Sequence, residues 1–156
     1  MIHVQIPGRG VVEIHNVVFD YNGTLAVDGK PVEGVYQRLK ALADKVNLFI
    51  VTADTFGTVR KYFSDTSVEI IIVDRDCGGD FKKEFLFKLG RERTAAVGNG
   101  KNDVDMLRES CLGIGIIGAE GCFSGIISCC DIVVTSPIHA IDILLNPARI
   151  KATLRY

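Results

Sequence analysis

Val17-Val18-Phe19-Asp20-Tyr21-Asn22-Gly23-Thr24-Leu25 is the stretch whose reading decides the fold. Its first three residues are apolar without interruption, the pattern of a strand buried on both faces. The run stops at an aspartate, then Asn-Gly, then Thr. A parallel strand that ends in a carboxylate delivers it to the edge of the sheet where ligands bind. Asn-Gly followed by Thr predicts a tight turn whose backbone N–H groups are free to face an anion.

Working outward from this strand, apolar runs and helical periods alternate. Upstream, 2–6 and 11–14 alternate apolar and polar residues around Pro7-Gly8-Arg9-Gly10, which predicts a hairpin with a four-residue turn. Downstream, Asp28-Gly29-Lys30-Pro31 reads as a polar turn. Val32, Val35, Leu39 and Leu42 have helical spacing over 32–44. A strand over 46–52 ends in Thr52-Ala53-Asp54, followed by a helix over 55–63 and a strand over 68–73. Phe81, Phe85 and Leu89 repeat every four residues, predicting a helix over 81–89 that Gly90 stops. Short strands at 94–97, 112–117 and 132–134 follow, with helices at 104–110 and 138–145. Such alternation calls for a three-layer α/β/α sandwich with a mainly parallel, Rossmann-like sheet. The whole chain, 1–156, reads as a single domain, with 1–15 as an N-terminal β-hairpin extension of it.

The bulk numbers fit this. The chain has 156 residues, 47% of them hydrophobic and 24% charged, which suits one soluble globular domain. A net charge of −1 gives no electrostatic case for nucleic acid or an anionic membrane. No apolar run approaches a membrane span, and the N-terminus lacks the pattern of a secretory signal. A cytoplasmic protein with reduced cysteines is the expectation, Cys129-Cys130 included.

Four strand ends or adjoining loops carry groups that suit phosphate: Asp20, Thr52, Lys82 and the loop 98–103. A carboxylate can attack phosphorus if the phosphoryl charge is neutralised first. A Thr hydroxyl and a Lys ammonium can hold the phosphoryl oxygens, and Mg²⁺ can bridge nucleophile and phosphate. Mg²⁺ takes hard oxygen ligands, so Asp20, Asp103 and a backbone carbonyl could suffice.

FDYNGTL resembles the first motif, D-x-D-G-T-[LV], of the haloacid dehalogenase superfamily of phosphohydrolases. VTADT around Thr52 is similar to the second motif, Lys82 in FKKEFLFKLG to the third, and VGNGKNDVDML to the fourth, G-D-G-x-N-D-x-x-[MA]-L. Within the superfamily, FDYNGTLAVDG, LGIGIIG, DIVVTSP and the closing segment 147–155 look most like the small archaeal and bacterial proteins called soluble P-type-ATPase-like. The resemblance implies that Asp20 is the nucleophile that forms an aspartyl-phosphate. It implies that Asn22 stands at the general acid/base position, with its backbone carbonyl on Mg²⁺. Thr52, Ala53, Lys82 and Asn102 would contact phosphate, and Gly23 and Thr24 would support the phosphate loop. Asp103 and Asn99 would complete the Mg²⁺ site, and Lys83 is the alternative to Lys82 in this loose motif. The substrate would be a small phosphomonoester or a nucleotide.

Two positions depart from the motifs: Asn22 and Asn99 stand where relatives have aspartate. An amide cannot relay a proton, and loss of general acid–base help costs roughly 10² to 10⁴ in rate. A slow phosphohydrolase is the first expectation. The second is a catalytically impaired phosphate- and Mg²⁺-binding module acting through a protein partner. The intervals 24–52 and 52–82 are too short for a cap domain, so cover would come from a large substrate or a neighbouring subunit. The hairpin's edge strands are candidates for pairing between copies in a homo-oligomer. The loop aspartates Asp74, Asp76 and Asp80 read as a solvated cluster near the site mouth, and His3, His15 and His139 as structural or surface residues.

Overall fold

The computed structural model describes residues 1–73 and 78–156. Asp74, Asp76 and Cys77 lie outside the described residues. The chain begins with a two-stranded antiparallel hairpin, β1 (Ile2–Ile6) and β2 (Gly10–Ile14). Ile6 pairs with Gly10, so the turn is the three residues 7–9 rather than the four expected. Gly8 and Gly10 both take positive φ there, which only glycine adopts without strain.

The central sheet has six parallel strands in the order β10-β9-β8-β3-β6-β7. They are β3 (Asn16–Phe19), β6 (Asn47–Thr52), β7 (Glu69–Ile72), β8 (Thr94–Gly98), β9 (Leu112–Ile116) and β10 (Ile132–Val134). All four residues of β3 are buried, as an uninterrupted apolar run demands when both faces are covered. Val17 and Phe19 point into one core with Leu48, Ile50, Val97 and Ile114. Val18 points into the other, with Phe49, Val51, Ala96, Leu86 and Met106. This alternation is the three-layer sandwich.

The first face is covered by α1 (Val35–Ala43), α6 (Pro137–Leu145) and α7 (Pro147–Leu154). The second is covered by α3 (Gly78–Leu89), α4 (Val104–Glu109) and the short α5 (Ile126–Cys129). A five-residue α2 (Val59–Phe63) follows β6 and is shorter than the helix expected over 55–63. Its approach is a loop in which Asp54, at φ 43°, accepts the Thr58 and Val59 N–H groups on Oδ1. Ser136 caps α6 by accepting the Ile138 N–H, with Pro137 in the first turn.

Between Leu25 and α1 lies a two-residue-per-strand hairpin, β4 (Ala26–Val27) and β5 (Lys30–Pro31), where a plain turn was expected. Asp28 and Gly29 both have positive φ, the tight turn that suits a two-residue loop. Together with α1 it is all that the chain inserts between Leu25 and β6.

The N-terminal hairpin forms its own sheet and runs across the starts of the central strands. The Met1 ammonium donates to the Lys45 carbonyl, just before β6. At the far end Arg9 donates to Asp131 Oδ1 at 2.6 Å and to the Cys111 carbonyl at 3.0 Å, just before β10 and β9. β1 is packed against α7. The hairpin therefore occupies the pole opposite the strands' C-terminal ends and cannot cover a site placed there.

Candidate active site

The sheet order places a topological switch at β3. The chain winds from β3 outward to β6 and β7, then returns to β8 on the other side of β3. The crevice beyond the ends of β3 and β8 is where such a sheet binds ligands. Asp20 follows β3 directly, its N–H donating to the Val97 carbonyl of β8 at 2.9 Å. The loop after β8 holds Asn99, Asn102 and Asp103. The two carboxylates thus meet across the switch.

Lys82 is the residue that joins them. It lies in the second turn of α3, and its Nζ donates to Asp20 Oδ1 at 2.7 Å and to Asp103 Oδ1 at 2.6 Å. The Lys82 and Asp103 side chains are 1% and 0% exposed, and that of Asp20 is 10%. Burial this deep is tolerated because the ammonium is paired on two sides. Lys83, one residue on, points outward to Asp105 at 3.9 Å.

The electrostatics follow from counting charges. Burial, with the like charge of Asp103, pushes the Asp20 carboxyl up to about 6 in spite of Lys82. Lys82 is desolvated, which would lower its pKa, but the two carboxylates outweigh this and hold it above its usual value. One ammonium faces two carboxylates, a buried excess of negative charge with oxygen donors. That donor set fits a hard divalent cation.

The other oxygen of Asp103 is fully engaged: Oδ2 accepts the N–H groups of Asn99 at 3.0 Å and Gly100 at 2.9 Å. Gly98 makes room for this carboxylate, since a Cβ there would meet the Asp103 side chain at 2.5 Å. Thr52 stands buried at the end of β6, accepting the Asp54 N–H on Oγ1 at 3.0 Å. Its own hydroxyl proton has no acceptor among the described residues. Ala53, half-buried, continues the chain there.

The turn after Asp20 differs from the expectation of free N–H groups. The N–H groups of Thr24, Leu25 and Ala26 all donate to the Tyr21 carbonyl, and that of Gly23 donates to Ala26 O at 2.8 Å. The turn is closed on itself, so most of its donors are unavailable to an anion. Gly23 takes φ 76°, and a Cβ there would lie 2.4 Å from the Asn99 amide. Tyr21 is buried, stacks edge-on with Phe63, and donates its hydroxyl to the Gly29 carbonyl at 3.0 Å, which ties the turn to the β4–β5 hairpin.

Asn22 and Asn99 behave differently. Asn22 Oδ1 is buried with no hydrogen-bond partner among the described residues. Asn99 uses every polar group it has. Its Oδ1 accepts from Thr24 Oγ1 at 3.0 Å and its Nδ2 donates to Gly121 O at 3.1 Å. Its N–H goes to Asp103, and its C=O accepts the Phe123 N–H at 2.9 Å. One amide thereby clasps the loops after β3, β8 and β9. Sequence spacing could not show this, because the 118–123 loop returns to Asn99 only in the folded chain.

Asn102 is exposed at the rim. A cavity of about 280 Å³ opens beside it, lined by Gly79, Asp80, Lys101, Asn102, Asp105 and Phe123. A second, of about 270 Å³, lies on the other flank of the turn, against Gly23, Thr24, Val27 and Gly118. Of the histidines, His3 pairs with Glu13 at 3.6 Å, His139 lies 3.5 Å from the Thr135 hydroxyl, and His15 Nε2 is buried with no hydrogen-bond partner among the described residues. Among the described residues no group of three or more His, Cys, Asp or Glu side chains is placed to hold a metal by itself. No helix among them is long and apolar enough to cross a membrane.

No family model matches the chain. It is 42% identical over 90 residues to the uncharacterized protein MJ0073 of Methanocaldococcus jannaschii, covering 53% of this chain and 97% of that one. It is 46% identical over 39 residues to MJ0072 of the same organism, 25% of this chain and 89% of that one. Solved structures with the same fold include the 3-deoxy-D-manno-octulosonate 8-phosphate phosphatase of Moraxella catarrhalis, in complex with magnesium, phosphate and KDO. It has TM-score 0.67 at 20% identity, covering 85% of this chain and 86% of that one. The cobalt-bound Haemophilus influenzae enzyme of that name gives TM-score 0.69 at 14% identity, covering 90% and 91%. A haloacid dehalogenase (HAD) family hydrolase described as putative, from Streptomyces avermitilis, gives 0.67 at 19%, covering 88% and 94%.

Proposed function

The chain belongs to the same family as MJ0073 of M. jannaschii and has the HAD-like fold, and from that premise we propose that it is a Mg²⁺-dependent phosphohydrolase working through Asp20. The observation that carries this reading is the Asp20–Lys82–Asp103 cluster at the sheet's switch point. Asp20 is the nucleophile toward phosphorus, forming an aspartyl-phosphate. Lys82 and the Thr52 hydroxyl neutralise and hold the phosphoryl oxygens. Asp103, fixed by two backbone N–H groups, keeps Lys82 in place.

Mg²⁺ would be held by Asp20, Asp103 and the Asn22 carbonyl, and would supply charge neutralisation at the phosphoryl group. The Asn99 amide oxygen, neutral and already accepting from Thr24, is a weaker ligand than the aspartate of the motif it resembles. Asn22 supplies no proton, so both transfer to the leaving group and hydrolysis of the aspartyl-phosphate are slow. The substrate is a small phosphomonoester, its leaving group lying over the rim near Asn102 or, as a second choice, a nucleotide in the same place.

The second reading, a phosphate- and Mg²⁺-binding module, draws on the same two amides. Intact-mass measurement after incubation with Mg²⁺ and acetyl phosphate separates the two. One phosphoryl group gained, and absent in Asp20→Asn, supports the enzyme. No adduct and no released phosphate, with Mg²⁺ still bound, supports the module.

A further inference from the structure

The site contains two Asn-Gly junctions, Asn22–Gly23 and Asn99–Gly100, and the fold treats them unequally. Asparagine is chemically labile, and a following glycine exposes it most, since no side chain shields the next backbone nitrogen. That nitrogen attacks the side-chain carboxamide carbon, the Cγ–N bond breaks and ammonia leaves. Water then opens the cyclic imide at either carbonyl, giving aspartate or isoaspartate. No oxidant or further reactant is needed.

For Asn99 the reaction is blocked at three points. The attacking Gly100 nitrogen donates its proton to Asp103 Oδ2, and the carboxamide is held by Thr24 at one end and Gly121 at the other. For Asn22 a single bond to the reacting groups stands in the way among the described residues, from the Gly23 N–H to Ala26 O. The Asn22 carboxamide oxygen finds no partner among the described residues. We propose that Asn22–Gly23 is a site of spontaneous deamidation in the folded protein, while Asn99–Gly100 is sealed against it.

On the phosphohydrolase reading, the product at residue 22 is an acid two residues from the nucleophile, with the means to relay a proton that the amide lacks. The aspartate fraction would then turn over faster than the original chain. Hydrogen bonds that must break first slow a reaction by about fivefold each, so two extra bonds make Asn99 about 25-fold slower than Asn22.

The test is peptide mapping of the chain incubated at neutral pH, folded and in urea. The expected result in the folded chain is the one-dalton gain at residue 22 about 25-fold faster than at residue 99. In urea the two convert at comparable rates. Equal rates in the folded chain, faster conversion at residue 99, or no conversion of the folded chain while the unfolded chain converts would overturn the proposal. Phosphate release by the aged protein is read beside freshly made Asn22→Asp. Conversion at residue 22 with no phosphate released by either sample counts against the phosphohydrolase and leaves the modification site standing.

Discussion

Lys82 Nζ and Asp103 Oδ1 meet at 2.6 Å with neither side chain more than 1% exposed. A pair so placed cannot lose one member cheaply. Lys82→Met removes the one cation that, among the described residues, pairs with the two carboxylates and leaves them to repel one another in the interior. Urea denaturation at neutral pH should show a loss of about 3–5 kcal/mol, shrinking as the buffer is acidified and one carboxylate takes up a proton. A loss under 1 kcal/mol at neutral pH would mean that the cluster is not buried as described.

Asp20 makes the metal-free protein sensitive to pH in a definite direction. Its carboxyl is raised from the ordinary 3.8 to about 6, first by burial and then by Asp103. Between those values the folded chain holds more protons than the unfolded one. The contribution is fully present below about pH 4 and is lost as pH rises through about 6, at up to about 1.4 kcal/mol per pH unit. Thermal melts in a chelator should show this decline for the native sequence and a flatter profile for Asp20→Asn.

On the phosphohydrolase reading, replacing Asn22 by Asp puts a group that can relay a proton beside Asp20. Phosphate release should rise about 10²-fold or more, and the phosphoryl adduct expected by intact mass should become short-lived. An unchanged adduct lifetime would assign slow release to another cause.

Asn99→Asp, which brings the loop closer to the G-D-G-x-N-D motif it resembles, should instead cost stability. One carboxylate oxygen would face the Gly121 carbonyl where a donor now stands. About 1–3 kcal/mol of stability should be lost at neutral pH, measured by chemical denaturation in chelator so that no metal masks it.

The layers were legible because each buried strand is a short apolar run with a clear stop, as at Phe19-Asp20 and Val51-Thr52. α7 was not, since Pro147 reads as a terminator and only Ile150 of the helix is buried. The β4–β5 hairpin is too short to show a period. Of the site, the approach of Asp20, Lys82 and Asp103 could be anticipated from strand ends and helix starts. The choice between Lys82 and Lys83 needed the helix itself, because neighbours on a helix point about 100° apart. The clasp made by Asn99 depends on a loop that comes back from the next strand, and no local spacing encodes that.

The hairpin strapped beneath the sheet has a practical consequence. It begins at Met1 beside Lys45, while the closing helix α7 packs on β1 and the Tyr156 ring lies against Gly8. Both ends of these 156 residues therefore emerge at the pole away from the carboxylates. A tag, a surface anchor or a fused protein joined at either end would hang from the underside, leaving the rim around Asp20 and Asp103 facing open solution.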